Sequence, residues 1–187
     1  MSAALKNPVG GRALIVPFNV FANIQTKTPT RTAMATPGRI AHVLARVREC
    51  GKKSEAPLYT FNQYRPGAPS RSTSNIEFAH AIVGDIDHRF DAAVFEAGLS
   101  ELEHAGAPVF AHQTYSHTPD APRWRVVVFL DEPIAPGDYT QCWSGLNDVL
   151  GGMLDGNAKD CARISYVPSC PPGQSREVRT LNIGGEA

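Results

Sequence analysis

This sequence predicts an α+β fold, a mixed or antiparallel sheet covered by helices, and three observations carry the expectation. The stretch 75–87 ends in a nearly unbroken apolar run, the pattern of a central strand buried on both faces. Two later stretches, 108–115 and 124–130, alternate or run apolar and read as antiparallel neighbours. Helical periodicity falls only between some of these strands, so sequential strand pairing with interspersed helices fits better than a parallel α/β sheet.

The elements follow in order. Ala13 to Phe18 reads as a short buried strand, and the threonine-rich stretch 26–36 as a polar loop. Pro37-Gly38 opens a helix in which Ile40, Val43, Leu44 and Val47 recur at helical spacing, with Gly51 as a stop signal. Residues 52–74 are rich in Lys, Arg, Pro, Gly and Ser and read as loops around one short strand at 58–61. After the central strand, a helix is expected from about Asp91 to His104, with Phe90, Val94, Phe95 and Leu99 on one side. Pro136-Gly137 opens another, striped by Tyr139, Trp143, Leu146 and Leu150. Arg163 to Val167 makes a last strand, stopped by Pro168. The chain reads as a single domain, 1–187, with an N-terminal strand and helix in 1–50 and a motif-bearing core in 51–187; this length is enough to bury a sizeable core.

Composition narrows the partners. Lysine plus arginine and aspartate plus glutamate number 18 each, so no general charge draws the chain toward nucleic acid unless acids and bases segregate locally. No apolar run approaches the roughly 20 residues of a membrane helix, and the N-terminal MSAALKNPVGGR lacks the apolar stretch of a secretory signal. Cys50, Cys142, Cys161 and Cys170 form no CxxC pair; free thiols in a reducing cytoplasm are expected.

Asp85-Ile86-Asp87 puts two carboxylates at i and i+2 on a strand, so both leave the same face, roughly 6 to 7 Å apart along the chain. Acids at the end of a buried strand are costly without a cation or basic partner. Two such carboxylates can converge on one or two hard cations, the machinery of nucleotidyl transfer, and magnesium suits a site completed by phosphates and water.

Taken in order, Val83-Gly84-Asp85-Ile86-Asp87, Thr114-Tyr115-Ser116-His117-Thr118-Pro119, Pro122-Arg123-Trp124-Arg125-Val126-Val127-Val128, Leu154-Asp155 and 162–169 resemble the archaeo-eukaryotic primase superfamily, most nearly the primase-polymerase domains of phages and plasmids. Lys52-Lys53 and Arg71 also look like that group. The likeness covers about 52–171 and, more weakly, 14–21. It implies an RRM-like catalytic core, template-directed primer synthesis or extension in DNA replication, Mg2+ or Mn2+, nucleoside triphosphates and a single-stranded DNA template. Asp85 and Asp87 match the acid-x-acid motif, Ser116-His117 the serine-histidine motif at tighter spacing, and Asp155 the third metal-binding acid, with Asp160 and Asp131 as fallbacks. His117 and Arg125 would neutralise the triphosphate, Arg123 sharing a strand face with Arg125. Lys53 and Arg71 are weaker candidates for nucleotide or template contacts, with a solvated loop the blander expectation. Arg163 and Tyr166, three apart on a strand, are expected on opposite sides, one reaching the site. Trp124 and Trp143 read as core.

No Gly-x-x-x-x-Gly-Lys-Ser/Thr loop is present, so a helicase partner would lie in cis outside this chain or in trans. A rolling-circle initiator needs two histidines one residue apart, whereas His112 and His117 are five apart. A metal-dependent nuclease would use the same acids, and a catalytically inactive primase fold that binds DNA or a partner would not need them.

Overall fold

The computed structural model describes residues 13–184, so the reading of the first twelve residues lies outside the described part. The chain begins with β1 (Val16–Phe21), starting later than expected and running further. The threonine-rich stretch contains a strand rather than only a loop: β2 (Arg31–Ala35) pairs antiparallel with β1. As a solvent-facing edge strand, β2 has no apolar alternation to betray it. Thr36 caps α1 (Pro37–Leu44), its side chain accepting from the Arg39 amide, and Pro37 occupies the first turn, where no donor is missed. The helix ends at Leu44, before the expected Gly51, because Arg48–Glu49 form β3 instead. β4 (Leu58–Thr60) and β5 (Asn62–Tyr64) precede the long β6 (Ile76–Ile86). Asp91 caps α2 (Ala92–His104) through the amides of Ala93 and Val94. Then come β7 (Val109–Gln113), β8 (Trp124–Ile134) and α3 (Tyr139–Val149). The expected last strand is β9 (Ser165–Tyr166), but β10 (Ser169–Cys170) and β11 (Val178–Leu181) follow it.

The architecture is α+β, with three helices and antiparallel sheets among the described residues. A five-stranded sheet in the order β11-β7-β8-β6-β5 is antiparallel throughout. Its run β6-α2-β7-β8-α3, with β8 between β6 and β7, matches the first five elements of a split βαβ, the pattern behind RRM-type sheets. The place beside β6 is taken by β5, while β9 joins a second, four-stranded sheet, β2-β1-β4-β9. β3 and β10 form a small parallel pair. All four cysteines are free thiols, and no described helix is long and apolar enough to cross a membrane.

Each face of the large sheet has its own core. Ile82 and Ile86 of β6, with Val126 and Val128 of β8, pack under α2 and α3 against Phe95, Leu99, Trp143, Leu146 and Leu150; Trp124 and Trp143 are core residues. The opposite side chains, Ala81, Phe110, Val127 and Phe129, meet the small sheet and α1 through Tyr59, Phe61, Ile40 and Leu44. A register shift in β6 between Ala79 and Ala81 sets this division, since one extra residue moves the following side chains to the other face. Beyond it, Ala81, Val83 and Asp85 point between the sheets.

α2 and α3 approach so closely that a Cβ on Gly98 would stand 2.7 Å from the Val149 carbonyl oxygen and 2.9 Å from Leu150 Cδ2. In an open helix, Gly→Ala stabilises by about 1 kcal/mol. Here overpacking against backbone reverses the sign, and Gly98→Ala is expected to cost about 1–3 kcal/mol. Thermal unfolding by circular dichroism checks this; a raised Tm would mean that the helices separate freely.

Candidate active site

Alternation along β6, β7 and β8 sets up one polar row at the end of an apolar interface. Asp85 of β6 stands opposite Arg125 of β8, and Arg125 opposite His112 of β7. One step inward, the row is Val83, Val127 and Phe110. All three polar residues are buried, with Asp85 4%, Arg125 6% and His112 1% exposed.

Asp85 and Arg125 form a two-pronged pair: Arg125 Nε donates to Asp85 Oδ1 at 2.6 Å, and Nη2 to Oδ2 at 2.9 Å. The remaining terminal nitrogen, Nη1, donates to the Tyr166 carbonyl at 3.0 Å, tying β8 to β9 of the small sheet. Arg163 Nη2 lies 3.7 Å from Asp85 Oδ2. Burial pushes the Asp85 carboxyl upward, but the charge and hydrogen bonds of Arg125, aided by Arg163, outweigh it and hold the group below its ordinary range. Burial opposes the charge on Arg125, and Asp85 more than restores it.

A cleft of about 280 Å³ opens beside this pair. Asp85 and Asp87 line it together with four cations, Lys53, Arg71, Arg125 and Arg163, and with Thr114 and Tyr166. Asp87 follows the last residue of β6 and lies 3.7 Å from Arg123 Nη1. Lys53 sits 5.1 Å from the Tyr166 ring centroid, a cation–π contact. Burial and then the neighbouring Arg125 lower its pKa. Lys53 and Arg71, expected more as solvated loop residues, therefore reach the same cleft as the acids. Arg163 and Tyr166, expected on opposite sides, both line it, because Arg163 lies in the turn before β9 and not on the strand.

Other candidates stand elsewhere. Ser116 and His117 lie in the turn between β7 and β8 and are absent from the cleft lining; His117 Nδ1 accepts from the Arg123 amide at 3.2 Å. Asp155 caps a one-turn 3₁₀ helix, Gly156–Ala158, its Oδ1 accepting from the Asn157 amide at 3.0 Å and Nδ2 at 3.1 Å. Its backbone amide donates to the Asp85 carbonyl at 2.8 Å, so it braces the acid strand through main chain. Asp160 accepts from Thr73 and from the Ala162 amide. Asp131 lies six residues along β8 from Arg125, roughly 20 Å away at strand rise.

These placements decide what a cation would meet. Among the described residues no three His, Cys, Asp or Glu side chains converge as ligands. The donors that remain are Asp85 and Asp87, and magnesium is commonly held by one or two carboxylates plus substrate phosphates and water rather than by an all-protein cage. Both Asp85 oxygens already accept from Arg125, so Asp87 is the less engaged donor, and a divalent cation would need substrate and water to supply most of its shell.

The residue that sequence reasoning passed over is His112. Its Nδ1–H donates to the Gln113 carbonyl at 2.8 Å, which leaves Nε2 a bare acceptor; that atom is buried and unpartnered. Burial, then the charge of Arg125, drives its pKa from 6.5 down to about 3. Only its place in the row beside Arg125 could have revealed this, and spacing for metal ligands carried no such signal.

Two outcomes follow. Arg125→Ala strands a buried carboxylate and is expected to cost about 3–5 kcal/mol, read by urea unfolding at pH 7; a cost under about 1 kcal/mol would show that solvent reaches Asp85. His112 is neutral in the folded chain and protonates on unfolding below pH 6.5. Its contribution is therefore full above pH 6.5 and falls with acid by about 1.4 kcal/mol per pH unit. The Asp85 contribution fades only below its ordinary value of 3.8. Between pH 6.5 and 4.5, Tm should thus drop less steeply in His112→Leu than in wild type, and parallel slopes would refute the neutral buried ring.

Scans against protein-family models and against curated proteins find no match. Among solved structures, the chain is similar to the AEP domain of the primase-polymerase (PrimPol) of cyanophage S-2L, with 16% identity and a TM-score of 0.48 over 92% of this chain and 83% of that one.

Proposed function

We propose that the cleft performs template-directed nucleotidyl transfer, as a primase or polymerase would, using Asp85 and Asp87 as the acid pair. The observation that carries the reading is the composition of one small cleft: two carboxylates and four cations at the end of a central strand, in a chain with no net charge. Surplus positive charge beside paired acids suits a substrate that brings both negative charge and a cation, as a nucleoside triphosphate does. Of the motifs that carry the primase-polymerase resemblance, Asp85, Asp87, Thr114, Arg125, Arg163 and Tyr166 line this cleft, whereas Ser116, His117 and Asp155 do not.

In this reading, Arg163 and Lys53 hold the triphosphate by charge-assisted contacts at the mouth of the cleft. Arg125 already gives three of its five N–H donors to Asp85 and Tyr166, so it orients Asp85 and supplies field without needing to move. Asp85 and Asp87 present their carboxylates toward the reacting phosphate. A divalent cation bound there would supply charge neutralisation at phosphorus and a lowered pKa for the attacking 3′-hydroxyl. Tyr166 lines the cleft beside Lys53, its ring 5.1 Å from the ammonium.

The test is incorporation of labelled nucleotides on primed and unprimed single-stranded DNA, with magnesium or manganese, comparing wild type with Asp87→Ala. Asp87 is partly exposed and paired only loosely with Arg123, so the variant should keep its fold, with Tm within about 2 °C, and lose at least about 100-fold in synthesis. A folded variant that still extends primers would refute the assignment. Cleavage of the strand in place of extension would make the cleft a nuclease. Metal-independent DNA binding without either reaction would leave an inactive binding module.

A further inference from the structure

A second cavity, of about 700 Å³, adjoins the cleft and shares Arg71 and Arg163 with it. The cleft, at about 280 Å³, is less than half the size of this cavity, which therefore has the room for a longer stretch of a bound molecule. The larger cavity is walled by three segments far apart in sequence, 25–27, 69–72 and 157–163, and the first two are ordered by their own side chains. In the first, Asn23 Oδ1 accepts from the Gln25 amide at 3.0 Å and from Thr26 Oγ1 at 3.2 Å, which shapes the loop carrying Lys27. In the second, Asn75 Nδ2 donates to the Ser70 carbonyl at 3.0 Å and contacts the hydroxyls of Ser70 and Ser72. Arg71 Nη2 links the loops through the Ile24 carbonyl at 3.1 Å.

Three cations line this cavity: Lys27, Arg71 and Arg163. Among the described residues, neither Lys27 nor Arg71 has a carboxylate within ion-pair distance, although the chain carries as many acids as bases. The one acid in the lining, Asp160, is engaged through Oδ1 by Thr73 and the Ala162 amide. No aromatic side chain lines the cavity, so it offers no platform on which bases could stack. Hydroxyl, amide and cationic groups remain, the chemistry that meets a sugar-phosphate backbone.

We infer that this cavity seats the backbone of a single-stranded polynucleotide, held through phosphates by Lys27 and Arg71 without regard to base sequence, and delivers it along Arg163 into the cleft. The inference rests on the proposed reaction for its direction, but the seat itself is testable without catalysis. The probe is a fluorescent oligodeoxythymidylate, with a mixed-sequence DNA and an oligouridylate alongside, followed by anisotropy across a salt series with no nucleotide added.

Lys27 is exposed and free of ion pairs, so Lys27→Ala removes charge and little else. It should weaken binding several-fold, equally for both DNA sequences, and reduce the magnitude of the log–log salt slope by about 0.7, the loss of one single-strand phosphate contact. Arg71→Lys keeps a charge and should lose less than Arg71→Ala. Unchanged affinity and slope in Lys27→Ala would overturn the inference, as would a wild-type chain that binds no oligonucleotide at 50 mM salt. A variant that binds DNA normally but has a raised KM for nucleotides would overturn it too, by making the cavity a nucleotide seat. RNA binding at equal strength would make the seat general to both backbones and still support it. Wild type that binds with the expected slope yet synthesises nothing would sink the proposed reaction and leave the seat standing.

Discussion

The Asp85–Arg125 pair is the interaction on which the arrangement of the site depends. Removing two charges from water is expensive, and here the cost is offset only because the guanidinium fork meets both carboxylate oxygens and its third nitrogen finds the Tyr166 carbonyl. The acid belongs to one sheet and the carbonyl to the other. A single side chain thus sets the spacing of the two sheets where the cleft opens. The apolar row of Val83, Val127 and Phe110 lies directly inward, so any slip of one residue in β6 would exchange buried charge for buried hydrocarbon. Register and site are the same constraint seen from two sides.

The supporting contacts follow from that constraint. β6 carries Asp85, leads into Asp87 and is gripped on its other face: a Cβ on Gly84 would stand 2.6 Å from Leu154 Cδ1, and the next residue, Asp155, donates its amide to the Asp85 carbonyl. Tyr139 of α3 accepts from the Val83 amide at 3.1 Å. The segment after α3 therefore serves as a brace for the end of the central strand. This is why Asp155 stands close to Asp85 in the fold while its carboxylate is spent on capping the turn after it. The main-chain bond from Asp155 and the packing of Leu154 on Gly84 together tie the short 3₁₀ turn to the acid strand.

Much of this was legible in the sequence, and the limits of legibility are physical. β6, β7, β8, α2 and α3 announce themselves because each buries a periodic apolar face, and Asp85 and Asp87 stand out as charges at the end of such a face. β2 does not, since an exposed edge strand needs only one partner and no apolar side. β10 and β11 follow prolines and take their pairing from distant segments, β3 and β7. The same distance hides most of the cleft's cations. Lys53, Arg71 and Arg163 come from three loops whose convergence is decided by the closure of β9 on β4, and nothing local in a loop records that. The role of His112 was hidden for another reason: a histidine that is neutral and buried leaves no spacing signature, only a cross-strand neighbour.

A chain with equal numbers of acids and bases has no net field at long range, yet this one gathers unpaired cations at Lys27, Lys53 and Arg71 around a single opening. The linings of the two adjoining cavities hold Lys27, Lys53, Arg71, Arg125 and Arg163 against Asp85, Asp87 and Asp160, a local excess of positive charge in a neutral chain. At about 0.1 M salt such an excess is felt within a Debye length of roughly 10 Å and screened beyond it. An anion is therefore selected at contact range rather than steered from a distance.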